Sequence, residues 1–394
     1  MGIGADGWDG LSAPARMAVS EAEVLLGSER QLALIPDSGA KRVPWPSPLL
    51  PQLDTLLTEH AERRVCVLAS GDPLLSGIGT TLIRRLGASR VRVMPAVSSV
   101  TLARARLGWS FEETEVISAV GRNVHRVARA LAPGARLLVL SSDGTTPGRV
   151  AALLTARGYG ASTLTVLANL GADDESRTDG TARAWPDGDS SPLNVLAIEC
   201  HGDPGTPMLP LVAGLPDDAF EHDGQLTKRD LRASALARLA PMPGQLLWDI
   251  GAGAGSVAIE WLRTHPSTRA VAFERDPDRA ARITRNAERL GVPELGVVVG
   301  AAPDVLDRDE TPDAIFVGGG VSVPGLLASC VQRLAPGGRL VAHGVTLESE
   351  AALAAAYQEH GGELTRIAVE HASGLGSFTG WQPARTVTQW SLVR

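Results

Sequence analysis

The segment from 246 to 261, LLWDIGAGAGSVAIEW, carries the densest chemical signal in the chain. An apolar run ends at Ile250, glycines follow at 251, 253 and 255, and a helical pattern then begins. Gly251, Gly253 and Gly255 allow a sharp turn and bring the backbone close to a ligand at a helix N-terminus. A dinucleotide fingerprint places its third glycine three residues after the second. The spacing here is G-x-G-x-G, and Asp249 stands two residues before the first glycine. A carboxylate at that point repels a pyrophosphate. It suits a ligand with a positive amino group and a sulfonium, which describes S-adenosylmethionine (SAM). Glu274, 23 residues after Gly251, sits where an acidic side chain accepts hydrogen bonds from ribose hydroxyls. The stretch GAAPDVL (300–306) can border an adenine ring, and LAPGGRLVA (334–342) is a helix-end turn into a strand. A G-x-G-x-G alone also serves as a plain turn. The four signals in this order on one βαβ framework predict a SAM-binding methyltransferase domain.

The elements that must position these residues follow from periodicity. Strands are expected at 245–250, 269–274, 295–299, 312–317 and 338–345, with helices at 255–264, 277–290, 323–335 and 347–359. Apolar runs follow at 363–369 and 385–393. This alternation predicts a parallel, doubly wound sheet. A helix over 226–240 precedes it, with Thr227 as N-cap and Asp230 three residues on. In the first half, strands are expected at 64–70, 90–96, 114–119, 136–142, 162–168 and 194–200, and helices at 14–26, 122–131 and 146–158. The polar stretch 172–192 reads as a hairpin or loop. The Pro- and Gly-rich stretch 201–218 marks the domain boundary, giving domains 1–205 and 206–394.

Bulk properties exclude several classes. At roughly 100–200 residues per domain, 394 residues make two domains. The formal net charge is −7 and no basic stripe forms, which disfavours a nucleic-acid partner. Cys66, Cys200 and Cys330 are too scattered for a disulfide framework or a metal site, and free thiols point to a reducing cytoplasm. No apolar run is long enough for a transmembrane helix, and MGIGADGWDG lacks the features of a signal peptide.

The chain also resembles a known family. GLPDDAFEHDGQLTKRDLRASAL (214–236) before WDIGAGAGS, then DAIFVGGG (313–320) and LVAHGVTLESE (340–350), are similar to CbiT-type corrin methyltransferases. GIGADGWDGLS (2–12), GSERQL (27–32), LASGDPLLSGIG (68–79) and PAVSSVTLARARLGW (95–109) resemble the CbiE type. The fused arrangement looks like the CobL-type precorrin-6Y C5,15-methyltransferases (decarboxylating), from Gly2 to the C-terminus. The resemblance implies a class III tetrapyrrole-methylase α/β domain followed by a Rossmann-like class I SAM methyltransferase domain. It implies methylation of a tetrapyrrole at C5 by the first half, and at C15 by the second with loss of CO₂ from an acetate, in cobalamin biosynthesis. It places SAM against Thr227, Asp249, Gly251, Ala252, Gly253, Ala254, Gly255, Glu274 and Ala302 in the second half, and Gly71, Asp72, Pro73, Ser98 and Ser99 in the first. It implies a homo-oligomer and more of a first strand than MGIG supplies. Ala119 and Val120 stand where relatives often place a histidine.

Methyl transfer from a sulfonium needs positioning and exclusion of water more than acid–base groups. His343, near a strand end, is either a proton carrier for decarboxylation or a satisfied loop histidine. His125 and His371 read as ordinary surface or strand residues. Arg122, Arg229, Arg232 and Arg385 either line a groove for the substrate carboxylates or are solvated surface groups. Trp381 and Trp390 either stack on the macrocycle or pack in the core. Gly318, Gly319 and Gly320 either approach the macrocycle or form a turn. Asp72 either orients the donor's amino group or caps a helix near Leu74. Two rival functions remain at this point: an RNA or protein methyltransferase with an accessory first half, and a non-catalytic tetrapyrrole-binding protein. Net acidity and the absence of an aromatic-proline tetrad at 317–320 count against the first. The intact glycine loops count against the second.

Overall fold

The computed structural model describes residues 1–394 and divides into two compact units. The first comprises Met1–Val124 and Pro133–Thr206; the second comprises His125–Ala132 and Pro207–Arg394. Within the second unit, the octapeptide is held by His125 Nδ1 against Glu288 O at 3.1 Å and by Arg129 Nε donating to Arg263 O at 3.0 Å. Gly291 makes room for it, because a Cβ there would stand 2.1 Å from Arg129 N.

In the second unit, apolar alternation with helices gives a seven-stranded sheet. Its order across the sheet is Gly296–Val299, Arg269–Glu274, Leu246–Ile250, Ala314–Val317, Arg339–Gly344, Val387–Val393 and Glu363–Ile367. The first five run parallel. Val387–Val393 is antiparallel to both its neighbours, so the two C-terminal apolar runs close this edge as a pair. The strand order reverses between Leu246–Ile250 and Ala314–Val317, the position where open α/β sheets bind ligands beyond the strand C-termini. Period-two alternation sends Leu247, Ala272, Phe316 and Val341 to one core, under the helices Arg229–Leu239, Ser256–Thr264 and Pro277–Arg289. Trp248, Phe273, Ile315 and Ala342 go to the other, under Leu326–Arg333 and Leu347–His360. Both faces are therefore covered, as a parallel sheet requires.

The first unit holds a five-stranded sheet in the order Thr114–Ser118, Arg136–Leu140, Asn194–Glu199, Thr163–Ala168, Ser176–Thr181. Only its first pair is parallel. The polar stretch after Ala168 is a hairpin arm, since Ser176–Thr181 pairs back on Thr163–Ala168. A parallel three-stranded sheet joins Lys41–Pro44, Val24–Gly27 and Val65–Val67, and Gly2–Ile3 pairs with Ala69–Ser70.

Three sequence expectations change. The helix expected over 14–26 stops at Ser20, and Val24–Gly27 is a fully buried strand; its apolar residues fit either period. The strand expected at 90–96 forms no ladder, although Met94 O accepts from Gly2 N at 2.7 Å and Ala96 N donates to Gly71 O at 3.3 Å. Thr227 is not the N-cap. The helix begins at Arg229 after Lys228, with no side-chain cap.

Trp390 lies wholly inside the core, and its Nε1 donates to Gly361 O at 2.9 Å. It therefore cannot stack on a substrate. Trp381, on the hairpin Glu370–Leu375 with Phe378–Pro383, is 73% exposed. Trp390→Ala is expected to cost about 3–5 kcal/mol in urea unfolding, whereas Trp381→Ala leaves the midpoint within error.

Candidate active site

Asp249 is the next-to-last residue of the central strand, and its side chain is sealed from water. Oδ2 accepts from Ala258 N at 3.0 Å, while Oδ1 has no partner in the protein. Burial pushes its carboxyl up to about 7; the Ala258 amide opposes that shift and the Glu274 charge adds to it. A buried carboxylate with an orphan oxygen fits a cationic ligand, which would supply the missing partner.

The loop after it is made of glycines for identifiable reasons. Gly251 has φ +66°, and a Cβ there would lie 2.7 Å from Gly319 N. Gly253, at φ +58°, would meet Gln225 O at 2.7 Å. The loops that follow two neighbouring strands thus touch backbone to backbone. Gly318 N donates to Ile250 O at 2.9 Å and fixes that approach. The Gly318–Gly320 turn therefore packs on the first glycine. Ala252 lies between two of the glycines, and Ala254 is buried under the loop.

Glu274 ends the next strand and is buried. Oε2 accepts from Gly253 N at 2.8 Å and Oε1 from Asp276 N at 3.1 Å. It ties the glycine loop to the second strand, with lone pairs left for a hydroxyl. Ala302 is half-buried and packs against the core beneath the loop after the third strand. Thr227 is half-buried on the segment that crosses Gly253 through Gln225.

Sequence reading missed Asn286. It is buried on the helix Pro277–Arg289; its Nδ2 donates to Ala254 O at 3.0 Å and to Glu221 O at 2.9 Å. It staples the 221–227 segment to the glycine loop. Asp223 assists from outside, with Arg279 at 2.9 Å and Arg282 at 3.1 Å, and these guanidiniums hold its carboxyl well below the usual range. An asparagine in a polar helix pattern gave no signal of this role.

The arginine candidates separate. Arg232 is wholly buried: Nε meets Glu260 Oε1 at 2.6 Å, and the guanidinium also reaches Asp217, Thr227 O and Leu215 O. It stacks over Phe220 at 4.8 Å. Wholly buried and with all three nitrogens bonded inside, it does not line a substrate groove. Arg122, Arg229 and Arg385 are exposed. His343 is buried, and its Nε2 lies 2.9 Å from the Gln389 side chain. Burial lowers it to about 4, so it carries no proton to give as an imidazolium near neutral pH.

In the first unit, Gly71 and Ser99 line a cleft with Gly4, Arg30, Leu167 and Asn194. The other three expected residues, Asp72, Pro73 and Ser98, do not line it. Ser98 caps the helix Ser99–Leu107, accepting from Thr101 N at 3.1 Å. Asp72 Oδ1 accepts from Leu74 N at 2.8 Å, which makes a turn and not a helix cap, since the helix starts at Ile78. Pro73 is buried, and its carbonyl accepts from Gly79 N at 3.0 Å. Leu167 and Asn194 come from strands whose apolar pattern hides the cleft-facing end.

Comparison with known proteins agrees with this arrangement. Residues 1–185 match the family of tetrapyrrole (corrin/porphyrin) methylases, and residues 218–394 match the precorrin methyltransferase domain. A precorrin-6Y C(5,15)-methyltransferase [decarboxylating] of Mycobacterium tuberculosis is 50% identical over all of this chain and 99% of its own. One from Sinorhizobium sp is 46% identical, covering 100% of this chain and 95% of that one. The C-terminal domain of precorrin-6Y C5,15-methyltransferase from Rhodobacter capsulatus aligns with 47% of this chain and 100% of its own, at 44% identity and TM-score 0.45.

The buried acid predicts a pH signature. The folded protein keeps the Asp249 proton up to about pH 7, whereas the unfolded chain loses it near 3.8. The contribution of this group to stability therefore falls as pH rises through that window. Urea unfolding of ligand-free protein at about pH 5 and 8 is expected to show Asp249→Asn gaining on the wild type at the higher pH. Equal differences at both would exclude a shifted carboxyl. Matching full-length relatives along its whole length, with both domain families in sequence, the chain is a methyltransferase of the precorrin-6Y C5,15-methyltransferase (decarboxylating) family.

Proposed function

We propose that this chain methylates precorrin-6Y at C5 and C15 and removes CO₂ from the ring C acetate, with SAM as donor in both halves. The observation that carries the reading is the sealed Asp249 carboxyl with an unpartnered oxygen beneath the Gly251–Gly255 turn. Bound SAM supplies an electrophilic methyl carbon on a sulfonium. Asp249 offers its orphan oxygen to the cationic end, Glu274 accepts from ribose hydroxyls, and Ala302 borders the base. Thr227 and the glycine-loop amides complete the second pocket. Gly71 and Ser99 line the first, with Asp72, Pro73 and Ser98 setting its loops. No strong base is needed, because the substrate's enamine-like carbon is itself the nucleophile and the protein contributes orientation and a dry site.

The chain carries no basic stripe, which supports a small-molecule substrate over nucleic acid. No helix is long and apolar enough to cross a membrane. Free, buried cysteines fit the cytoplasm. The exposed Leu375, Phe378 and Trp381 on one hairpin fit self-association of the chain.

Calorimetric titration with S-adenosylhomocysteine is expected to find two sites. Gly251→Ala, whose Cβ falls 2.7 Å from Gly319 N, is expected to abolish one and spare the other. In the second site, affinity should weaken by roughly tenfold per pH unit below about 7, because Asp249 must first lose its proton. Incubation with precorrin-6Y and SAM should yield a product with two added methyl groups and one CO₂ lost. A product that keeps its carboxyl count would overturn the reading.

A further inference from the structure

His343 occupies the penultimate position of Arg339–Gly344, at the same C-terminal sheet edge as the glycine loop. Its ring meets the edge of Phe316 at 5.1 Å, and Phe316 in turn underlies Gly318. On its other side lies Gln389, fully buried on the antiparallel strand. Arg238 can only donate, so the Gln389 amide oxygen faces it, accepting from Nε at 3.0 Å and Nη1 at 3.3 Å. The amide nitrogen is left to donate to His343 Nε2 at 2.9 Å and Ser234 Oγ at 3.2 Å. Nε2 is thereby an acceptor, and the ring's single proton must sit on Nδ1. Nδ1 has no hydrogen bond within the protein, and it is not one of the sealed unpartnered atoms. It is the open side of an otherwise buried ring.

We infer that His343 presents Nδ1–H as a neutral donor to the substrate carboxylate that leaves as CO₂, and that Gln389 is the positioning residue that fixes this tautomer. The inference rests on the reaction proposed above and names a group that reaction lacks. In the step, the bond from the acetate methylene to its carboxyl carbon breaks and CO₂ departs. The bonding pair enters the conjugated macrocycle, and a proton from water ends on the methylene carbon. The carboxylate charge disappears from that site as the bond breaks. A cationic partner would stabilise the ground state more than the transition state and slow the step. A neutral donor orients the group at less cost. Arg238 keeps its charge one residue behind, turned to the Gln389 oxygen, and that nearby charge also disfavours an imidazolium.

The test has two arms. Nitrogen-15 spectra of ligand-free protein should place the His343 proton on Nδ1 from about pH 5 to 8; a proton on Nε2 would overturn the inference with no activity measured. In turnover, methyl transfer and CO₂ release are followed separately. His343→Asn keeps an N–H near the Nδ1 position and should retain most CO₂ release. His343→Gln puts its amide at the Nε2 position and should lose CO₂ release at least tenfold, with methyl transfer at C5 unchanged. Equal loss in both variants, or loss in neither, would reject the donor role. Failure of the wild type to release CO₂ at all would instead reject the proposed reaction.

Discussion

The second pocket depends on one steric fact: the chain carries no Cβ where the loops after its two central strands meet. Gly251 and Gly319 lie so close that a side chain at the former would fall 2.7 Å from the latter's nitrogen. That contact lies at the point where strand order reverses, next to the strand that carries the buried Asp249. A wider loop would admit water to the carboxylate, restore its ordinary acidity and weaken its pull on a cation. Desolvation is thus a consequence of glycine spacing, and the chemistry follows from desolvation.

The same unit treats its buried Arg232–Glu260 pair in the opposite way. Arg232 and Glu260 are both sealed, yet every oxygen of Glu260 is used: Oε1 by Arg232 and Leu215 N, Oε2 by Gly214 N at 2.7 Å. Arg263 reaches Leu290 O and Leu209 O. These networks hold the 209–217 segment against the helix Ser256–Thr264, with Arg263 Nε left unpartnered. An unpaired buried charge is expensive, and among these groups Asp249 Oδ1 and Arg263 Nε are the atoms without a partner in the protein. The contrast also explains why the sequence offered Arg232 only as a groove residue or a solvated surface group, and neither holds. Arginine in a polar helix pattern looks solvated until two acids, Glu260 and Asp217, and the carbonyls of Thr227 and Leu215 enclose it.

Much of the second unit was legible because its signals are local. Strand, glycine loop and helix are contiguous, and Asp249 and Glu274 are placed by the ends of two parallel strands. What stayed hidden depends on partners distant in sequence. Asn286 acts through Ala254 and Glu221, and the tautomer of His343 is set by Gln389 and Arg238. Thr227 failed as a cap because Arg232 claims its carbonyl, and the helix starts two residues later. In the first unit, Val24–Gly27 was lost inside a helical pattern, since four buried apolar residues satisfy either period. The extended run at 90–96 shows the converse: β-prone residues form a ladder only where a neighbouring strand is long enough to pair with them.

The two clefts solve ligand binding with different electrostatics. The lining of the first combines Gly71, Ser99 and Asn194 with apolar side chains and one arginine, Arg30, whose burial lowers its own basicity. No carboxylate lines it, and Asp72 nearby already spends Oδ1 on Leu74 N. On the proposed reading, binding there would draw on backbone groups, hydroxyls, the Asn194 amide and shape, beside the Arg30 guanidinium. The second unit instead buries an ionisable carboxyl, Asp249, beneath its glycine loop, so the affinity of a site proposed there would be coupled to proton concentration. A single cationic donor offered to both would therefore divide itself between them according to pH.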